Sequence, residues 1–451
     1  MQSYAHQLPF LRPNKPRPSL ADSTGPLAKR GKLMITIVIV LFTFTMSVII
    51  LMSKALMEIF PSINTINFYV GIVLTGVFII SMFYYKRFPQ WELALVGLWL
   101  LWSLTGFIVA YNLNHFVSEY LTALQVWVFG LIAFGVAAIR EDLRGNIVSY
   151  VPALTFVIVY GMITGEFQSA LAGDEVRVYS IATNPNTIGQ QGIPYIGFLI
   201  YIFRENKNKT LRVVLVALMI IAAATIVFTG SRKGILGLGF AIALYYFFQF
   251  ARRKNKRLGE FLLSTLFIVI IIALVPIILN ETVAGNRLLE FLMNPMSEEK
   301  RINMYIDGWG MFLQHPFSGV GLGNYRLLSP YQGAAHSDYM EVLTGTGLVG
   351  FALYFSMYFV GYFRIQRVRK LKLTSNDRHH ANMLLALFLV EVALNFGRSV
   401  YISPYHSFVL MTYFGYAYGL ERKYGRLRKL GRSDLQSNLG QPAASTPGLR
   451  T

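Results

Sequence analysis

Apolar residues in this chain are grouped in blocks about 20 residues long, with short polar segments between most of them. A helix of that length crosses the roughly 30 Å of hydrocarbon in a bilayer. The predicted spans are approximately residues 33–53, 66–85, 91–112, 116–139, 146–163, 187–203, 211–229, 234–250, 261–279, 337–363, 381–401 and 405–420. The pattern predicts an all-α polytopic membrane protein with about 12 transmembrane helices.

A long polar segment, residues 280–336, interrupts this pattern between the predicted helices nine and ten. Outside the apolar blocks, no segment is long enough to bury a core of its own. We therefore predict a single transmembrane domain over residues 33–420, with residues 280–336 as an extracytoplasmic loop. A basic cytoplasmic tail, residues 1–32, precedes the domain, and a disordered cytoplasmic tail, residues 421–451, follows it.

Two motifs divide the long loop. In KRINMYIDGWGMFLQ (residues 300–314), apolar and aromatic residues recur at helical spacing. This spacing predicts an amphipathic helix, which lies on the outer leaflet or packs over the membrane core. HPFSGVGLGNY (residues 315–325) has alternating glycines, which we interpret as tight turns packed against the spans. A nucleotide phosphate loop would need a strand before it and a helix after it in a soluble unit.

The composition agrees with a membrane protein, since 54% of the residues are hydrophobic, 14% are charged and the mean hydropathy is +0.47. The predicted topology places 9 of the 41 Lys and Arg residues outside and leaves 32 inside. That excess follows the positive-inside rule, so we expect both termini in the cytoplasm. Anionic membrane lipid then explains the net charge of +19, and nucleic-acid binding is not expected. The lack of cysteine excludes disulfides, thiolate catalysis and Cys-ligated metal.

Basic residues on the outer side are exceptions to this rule and therefore candidates for binding an anion. Arg232 and Lys233 lie in the hairpin SRKG, where flanking glycines permit close approach of a ligand. The alternative is that both side chains snorkel to lipid headgroups. Arg177 lies in another outer loop, where the alternative is neutralisation by Asp174 and Glu175.

Polar side chains also mark the start of the span near residue 187. Asn186, in the run NPN, either caps this span or contacts a ligand. Gln190 and Gln191 follow in apolar surroundings, where polar side chains usually face a bundle interior or a water-filled cavity.

His336 ends the long loop, and Asp338 and Glu341 follow it at the start of the next span. If the helix begins near Ser337, the two carboxylates share a face at a helix N-terminus, where negative charge is favourable. One interpretation is a well-capped helix start with an exposed histidine. The other is a general base that takes a hydroxyl proton near neutral pH and is oriented by a carboxylate. Because no acidic pair with ligand spacing lies beside His336, we predict no metal and no cofactor.

Five motifs follow one another through residues 175–355: NPN before a span, SRKG at a hairpin, an arginine ahead of an aromatic segment (Arg301 and Trp309), HPFSGVGLGNY, and AHSDYMEVLTGTGLVG. This order resembles the O-antigen ligase and Wzy polymerase superfamily. The chain departs from that family at Ser337, where asparagine is common, which removes an amide contact to substrate.

The resemblance implies a GT-C-type glycosyltransferase, active on the outer face of the bacterial cytoplasmic membrane. Its donor would be a glycan carried on undecaprenyl diphosphate. Its acceptor would be a sugar hydroxyl, either on another lipid-linked glycan, as in a polymerase, or on lipid A core, as in a ligase.

The resemblance also implies roles for individual residues. His336 would be the catalytic base that activates the acceptor. Arginines at the membrane surface would bind the diphosphate without metal: Arg177, Arg232 and Arg301. The residues expected to support these groups are Asn186, Lys233, Asp338 and Glu341.

A competing class is a secondary transporter or a lipid-linked oligosaccharide flippase. The polar residues Glu391, Asn395 and Arg398 would then line a translocation path on one helix face. Transporters of this size usually have two similar halves, and residues 33–229 show no obvious repeat in residues 234–420. A third class, a peptidoglycan polymerase of the shape-and-division type, shares the architecture but not the motifs.

Overall fold

A computed structural model of the protein describes residues 90–163, 185–250 and 299–439, together with residues 37, 41, 69, 72–77, 79–80 and 293. Over these residues the chain forms helices and their connections, without β-strands. Much of the predicted spans 33–53 and 66–85, and all of the span 261–279, lie outside the described residues.

The helices are numbered here in chain order. They are α1 Gln90–Ser103, α2 Gly106–Val109, α3 Leu113–Arg140, α4 Arg144–Ile163, α5 Pro185–Glu205, α6 Lys209–Phe228, α7 Arg232–Phe250, α8 Glu299–Gln314, α9 Tyr325–Leu328, α10 Asp338–Arg369, α11 Ser375–Leu394 and α12 Pro404–Leu439. A 3₁₀ turn, Asn395–Gly397, follows α11.

Six segments of the described chain are long and apolar enough to cross a membrane. They are Trp91–Val109, Leu113–Arg140, Lys209–Phe228, Arg232–Phe250, Asp338–Arg369 and Ser375–Gly397. The prediction of an all-helical, multi-pass membrane protein is therefore confirmed. The total of about 12 membrane helices and the place of the long loop between helices nine and ten stay predictions.

Two long helices of the core, α3 and α12, pack closely against each other because small residues lie between them. A Cβ atom on Gly415 of α12 would lie only 2.3 Å from the carbonyl oxygen of Phe134. Glycine therefore permits the two backbones to approach. At the other end of the contact, the indole nitrogen of Trp127 donates to the carbonyl oxygen of Tyr401 at 2.9 Å. This bond fixes the segment before α12 against α3.

The glycine-rich segment 315–325 packs against α10, as predicted from its alternating glycines. The backbone N–H of Val320 donates to the carbonyl oxygen of Thr344 at 2.9 Å. Helix α10 is kinked at Gly347, whose φ is 65°. A Cβ atom there would lie 2.1 Å from the carbonyl oxygen of Phe317, so the kink and the glycine make room for the turn.

The predicted amphipathic helix of the long loop is α8. Met304 is buried, and a Cβ atom on Gly308 would lie 2.9 Å from the side chain of Met340 on α10. Ile306 and Trp309 are exposed on another side of α8. The helix therefore packs over the helical core through one face, and its contact with the outer leaflet stays a prediction.

Helix α12 continues to Leu439, whereas the sequence analysis assigned the chain from residue 421 to a disordered tail. Ion pairs formed by α12 just after residue 420 explain why the helix continues. They are Arg364–Glu421 (2.7 Å), Lys423–Asp377 (3.0 Å) and Arg426–Glu141 (2.5 Å). Each pair joins α12 to a different part of the helical core, so the helix does not end where its apolar residues end.

Candidate active site

A cavity of about 530 Å³ lies among α5, α7, α8, the start of α12 and the connections that precede α10 and α12. Four of the predicted site residues line it: Asn186, Lys233, Arg301 and His336. These residues come from four separate segments of the chain. Folding thus brings a predicted base and two predicted anion-binding groups to one space.

The other predicted arginines do not line this cavity in the described chain. Arg232 begins α7 beside Lys233 and is half-buried, but it is not among the lining residues. Arg177 lies outside the described residues.

The cavity has two chemically different parts. The exposed residues form the part that we call the mouth: Asn186, Gln332 and His336. The buried polar side chains form the part that we call the floor: Gln190, Gln191, Glu391, Arg398 and His406. The expectation that Gln190 and Gln191 face an interior cavity is confirmed.

His336 adopts a left-handed backbone conformation, with φ of 55°. This region costs a residue other than glycine about 1 kcal/mol or more, and residues that adopt it are concentrated at functional sites. Ser337 is the N-cap of α10, but its side chain makes no hydrogen bond to the helix. The capping role expected for this hydroxyl is therefore not seen.

Glu341 fixes the chain on both sides of the cavity. Its Oε1 atom accepts a hydrogen bond from the backbone N–H of Ala335 at 2.7 Å and another from the hydroxyl of Ser399 at 3.1 Å. Because Ala335 precedes His336, the carboxylate holds the histidine's backbone in place. Glu341 is itself buried, so it acts from behind the cavity wall.

Asp338 makes a similar link one turn earlier in α10. Its Oδ1 atom accepts hydrogen bonds from the backbone N–H groups of Val400 and Tyr401, the latter at 2.9 Å. Asp338 is fully buried and does not line the cavity. Both carboxylates thus contact the backbone of neighbouring segments, and their role in supporting the site stays a prediction.

Side chains of α7 and α8 donate hydrogen bonds to the 3₁₀ turn after α11. Nζ of Lys233 donates to the carbonyl oxygen of Gly397, and the hydroxyl of Tyr305 donates to the carbonyl oxygen of Phe396 at 2.9 Å. Tyr305 lies one helical turn after Arg301 in α8. Two cationic residues of the cavity, Lys233 directly and Arg301 through its helix, are thus anchored to this turn.

Arg326 also lines the cavity, although the sequence analysis did not select it from the other outer cations. Its guanidinium lies 3.5 Å from Glu119 and 3.9 Å from Glu341. Burial alone would lower the pKa of Arg326, but these two carboxylates and Tyr401 outweigh burial and raise it. Arg326 therefore remains charged while it faces the cavity.

Arg398 is the centre of a polar network in the floor. Its Nη2 atom donates to Glu391, and its Nη1 atom donates to the side-chain oxygen of Gln190 at 3.4 Å. We expected Glu391 and Arg398 to share a helix face, but α11 ends at Leu394 and Arg398 is extended. The turn Asn395–Gly397, not helical periodicity, brings the pair together.

His406 completes the network, and nothing in its sequence neighbourhood distinguishes it. Its Nδ1 atom lies 3.2 Å from Glu391, and its Nε2 atom lies 2.7 Å from the hydroxyl of Tyr358. The side-chain amide of Asn395 donates to the same hydroxyl at 3.0 Å. A lone histidine in an apolar block gives no signal until these partners are known.

Metal binding finds no support in the described part of the chain. No group of three or more His, Cys, Asp or Glu side chains in these residues is arranged to hold an ion. The positive charge that an anionic ligand would meet in the cavity comes from Lys233, Arg301 and Arg326, since Arg398 is paired with Glu391.

Comparison with known proteins agrees with the motif order. A family model described as O-antigen ligase matches residues 195–355. No curated protein matches the chain. The matched range runs from α5 to the first half of α10 and includes Lys233, Arg301 and His336. The resemblance to the O-antigen ligase and Wzy polymerase superfamily is therefore confirmed over residues 195–355, in a multi-pass membrane protein.

Proposed function

We propose that this protein is a membrane glycosyltransferase that passes a glycan from undecaprenyl diphosphate to a sugar hydroxyl. The observation that supports this function best is the cavity that His336, Arg301 and Lys233 share, within the domain matched by the O-antigen ligase family. The acceptor is another lipid-linked glycan or lipid A core, so the enzyme is a polymerase or a ligase.

The diphosphate is bound by the cationic side chains of the cavity. Guanidinium groups bind phosphate oxygens through paired, charge-assisted hydrogen bonds, and fixed positive groups stabilise the charge that develops on the leaving group. We assign this role to Arg301, with Lys233 and Asn186 beside it. Arg232 and Arg177 remain in the proposal as further cations that bind the diphosphate. Metal is not required, because these side chains supply the positive charge.

His336 acts as the general base. It takes the proton from the acceptor hydroxyl while the acceptor oxygen attacks the anomeric carbon of the donor sugar. The bond between that carbon and the phosphate oxygen breaks, and undecaprenyl diphosphate leaves with the bonding electrons. This direct displacement inverts the configuration at the anomeric carbon. Glu341 keeps the backbone before His336 in position, and Asp338 holds the segment that precedes α12.

The reaction takes place on the extracytoplasmic face of a bacterial cytoplasmic membrane. The distribution of Lys and Arg supports this orientation, with both termini in the cytoplasm. The polyprenyl chain of the donor stays among apolar helix surfaces and membrane lipid. The cavity then lies at the outer end of the spans, where a lipid-linked diphosphate meets water.

The test is to replace His336 by alanine in the full-length protein and to follow the lipid-linked donor and the glycan product. We expect product formation to stop and unused donor to accumulate, with a normal protein level. His315→Ala is a matched control, since His315 is exposed in the same loop but does not line the cavity. Normal yield and length of product from His336→Ala would contradict the proposed role.

A flippase or transporter is the competing function, because Glu391, Asn395 and Arg398 are polar residues near the end of a span. In the described chain, these side chains bond to one another in the floor. An assay in detergent separates the two functions, since detergent micelles have no two sides. Formation of a glycosidic product there supports the enzyme, and failure under conditions that preserve donor binding supports transport.

A further inference from the structure

The floor of the cavity is not suited to a phosphate group. Arg398 donates to Glu391, lies 3.3 Å from Nδ1 of His406 and donates to Gln190. The ion pair of Arg398 and Glu391 has no net charge, and its carboxylate repels an anionic ligand. The floor therefore presents hydrogen-bond donors and acceptors side by side, without the positive field found around Arg301 and Lys233.

Gln191 is a second, independent sign of a ligand at the floor. Its side chain is 7% exposed and lines the cavity. Its Nε2 atom is buried and has no hydrogen-bond partner within the described part of the chain. A buried N–H donor without an acceptor destabilises a protein, whereas an apolar side chain of similar size would not. A polar residue that lowers stability in a cavity wall indicates a functional role for its amide.

We propose that the floor binds hydroxyl groups of the donor sugar that is joined to the diphosphate, an inference that rests on the proposed function. A hydroxyl group both donates and accepts hydrogen bonds. It can therefore accept from Nε2 of Gln191 while it donates to the carboxylate of Glu391. A phosphate oxygen accepts only, so it cannot satisfy the carboxylate. The chemical class recognised is a neutral, hydroxylated sugar ring.

The floor also lies next to the groups assigned to the diphosphate. Lys233 donates to the carbonyl oxygen of Gly397, and Gly397 directly precedes Arg398. A diphosphate bound by Lys233 and Arg301 thus leaves its first sugar beside the floor. The acceptor glycan enters past His336 at the mouth, where the side chains are exposed.

The experiment measures binding of two probes to the full-length protein in lipid nanodiscs. One probe is undecaprenyl diphosphate without a sugar, and the other is the lipid-linked glycan extracted from cells that lack this protein. For Gln191→Leu, we expect about tenfold weaker binding of the lipid-linked glycan and unchanged binding of undecaprenyl diphosphate. For Arg301→Ala, we expect both probes to bind more weakly.

Gln249→Leu is the matched control, because Nε2 of Gln249 is also buried without a partner among the described residues but lies away from the cavity lining. We expect it to bind both probes as the wild-type protein does. Thermal unfolding of Gln191→Leu should occur at the wild-type temperature or higher, because an unpartnered donor is removed.

Each other outcome overturns the inference. Wild-type affinity of Gln191→Leu for both probes would show that the amide binds no sugar. Equally weakened binding of both probes by Gln191→Leu, or a lower unfolding temperature of this variant, would show that Gln191 has a structural role. Failure of the wild-type protein to bind either probe would instead refute the proposed function and the inference with it. Wild-type binding of both probes by Gln191→Leu would refute the inference alone and leave the function intact.

Discussion

Glu341 is a buried carboxylate that holds two segments of the proposed active site without lining its cavity. It accepts one hydrogen bond from Ala335, just before His336, and another from Ser399, just after Arg398. The mouth and the floor are therefore joined through one side chain. A residue in this position controls the relative placement of a base and a binding site.

Replacement of Glu341 by alanine should remove the oxygen atom that accepts both hydrogen bonds. It should leave the backbone N–H of Ala335 without this partner. We expect the turnover rate to fall by about 10- to 100-fold, because small displacements of catalytic groups have effects of this size. The free energy of unfolding should fall by about 1–3 kcal/mol. Turnover and thermal unfolding of the purified protein measure the two effects.

Glu341→Gln is the control for this prediction, because its amide oxygen still accepts from Ala335. It should recover most of the turnover. Equal loss of turnover in both variants would show that the negative charge, and not the hydrogen bond to the loop, is what matters.

Sequence patterns locate some of these residues but not others. Gln190 and Gln191 can be predicted because polar residues in an apolar block usually face an interior or a cavity. Both line the cavity, which confirms the prediction. Arg326 and His406 have no such signal. Their partners, Glu119 and Glu391 among them, lie in other segments, and only the packed helices bring them together.

Helix α10 influences the cavity through the segments that it holds, since its own residues are not part of the lining. It begins with the carboxylates that hold the neighbouring segments, and the kink at Gly347 admits the glycine-rich turn before α9. Two functions of one element are thus separated by less than three helical turns. Disturbance of the kink should displace the glycine-rich turn and, with it, α9, which carries the cavity residue Arg326.

Gly347→Ala should destabilise the protein, because alanine disfavours the positive φ and its Cβ atom would lie 2.1 Å from the carbonyl oxygen of Phe317. We expect a loss of at least about 1–3 kcal/mol in the free energy of unfolding. Gly97→Ala in α1 is the control, since a Cβ atom there meets nothing within 4 Å. That change should be neutral or stabilising by about 0.5–1 kcal/mol. Thermal unfolding in detergent compares the two, and equal midpoints would contradict the argument.

Element positions are predicted better than element ends. Apolar blocks locate the described spans within a few residues, since burial in lipid demands long apolar helices. The end of α11 at Leu394 is missed because the polar residues after it form a turn whose partners, Lys233 and Tyr305, come from distant helices. The continuation of α12 beyond residue 420 is missed for the same reason, since ion pairs with other helices stabilise it.

In the described part of the molecule, polar clusters lie near both ends of α10. The cavity lies at the end where α10 begins. At the other end of α10, Arg364 forms a bidentate pair with the fully buried Glu92 and also contacts Glu421. This second cluster joins α1, α10 and α12, so it stabilises the frame on which the cavity is built.

Glu92→Ala should leave Arg364 with a buried and poorly compensated charge. We expect a loss of about 3–5 kcal/mol in the free energy of unfolding, because removal of one partner of a buried ion pair has this effect. The control is Arg144→Ala, which removes an exposed pair with Glu205 at 3.8 Å and should change stability by less than about 1 kcal/mol. Unfolding followed by tryptophan fluorescence measures both, and a small effect of Glu92→Ala would indicate that water reaches Arg364.

The amide nitrogen of Gln191, which has no hydrogen-bond partner among the described residues, has a practical consequence for inhibitor chemistry. Compounds that imitate a diphosphate are strongly anionic and cross cell envelopes poorly. An uncharged polyol that supplies an acceptor to this amide would occupy the cavity without any phosphate mimic. Such fragments would raise the melting temperature of the purified protein, so a simple thermal-shift screen would reveal them.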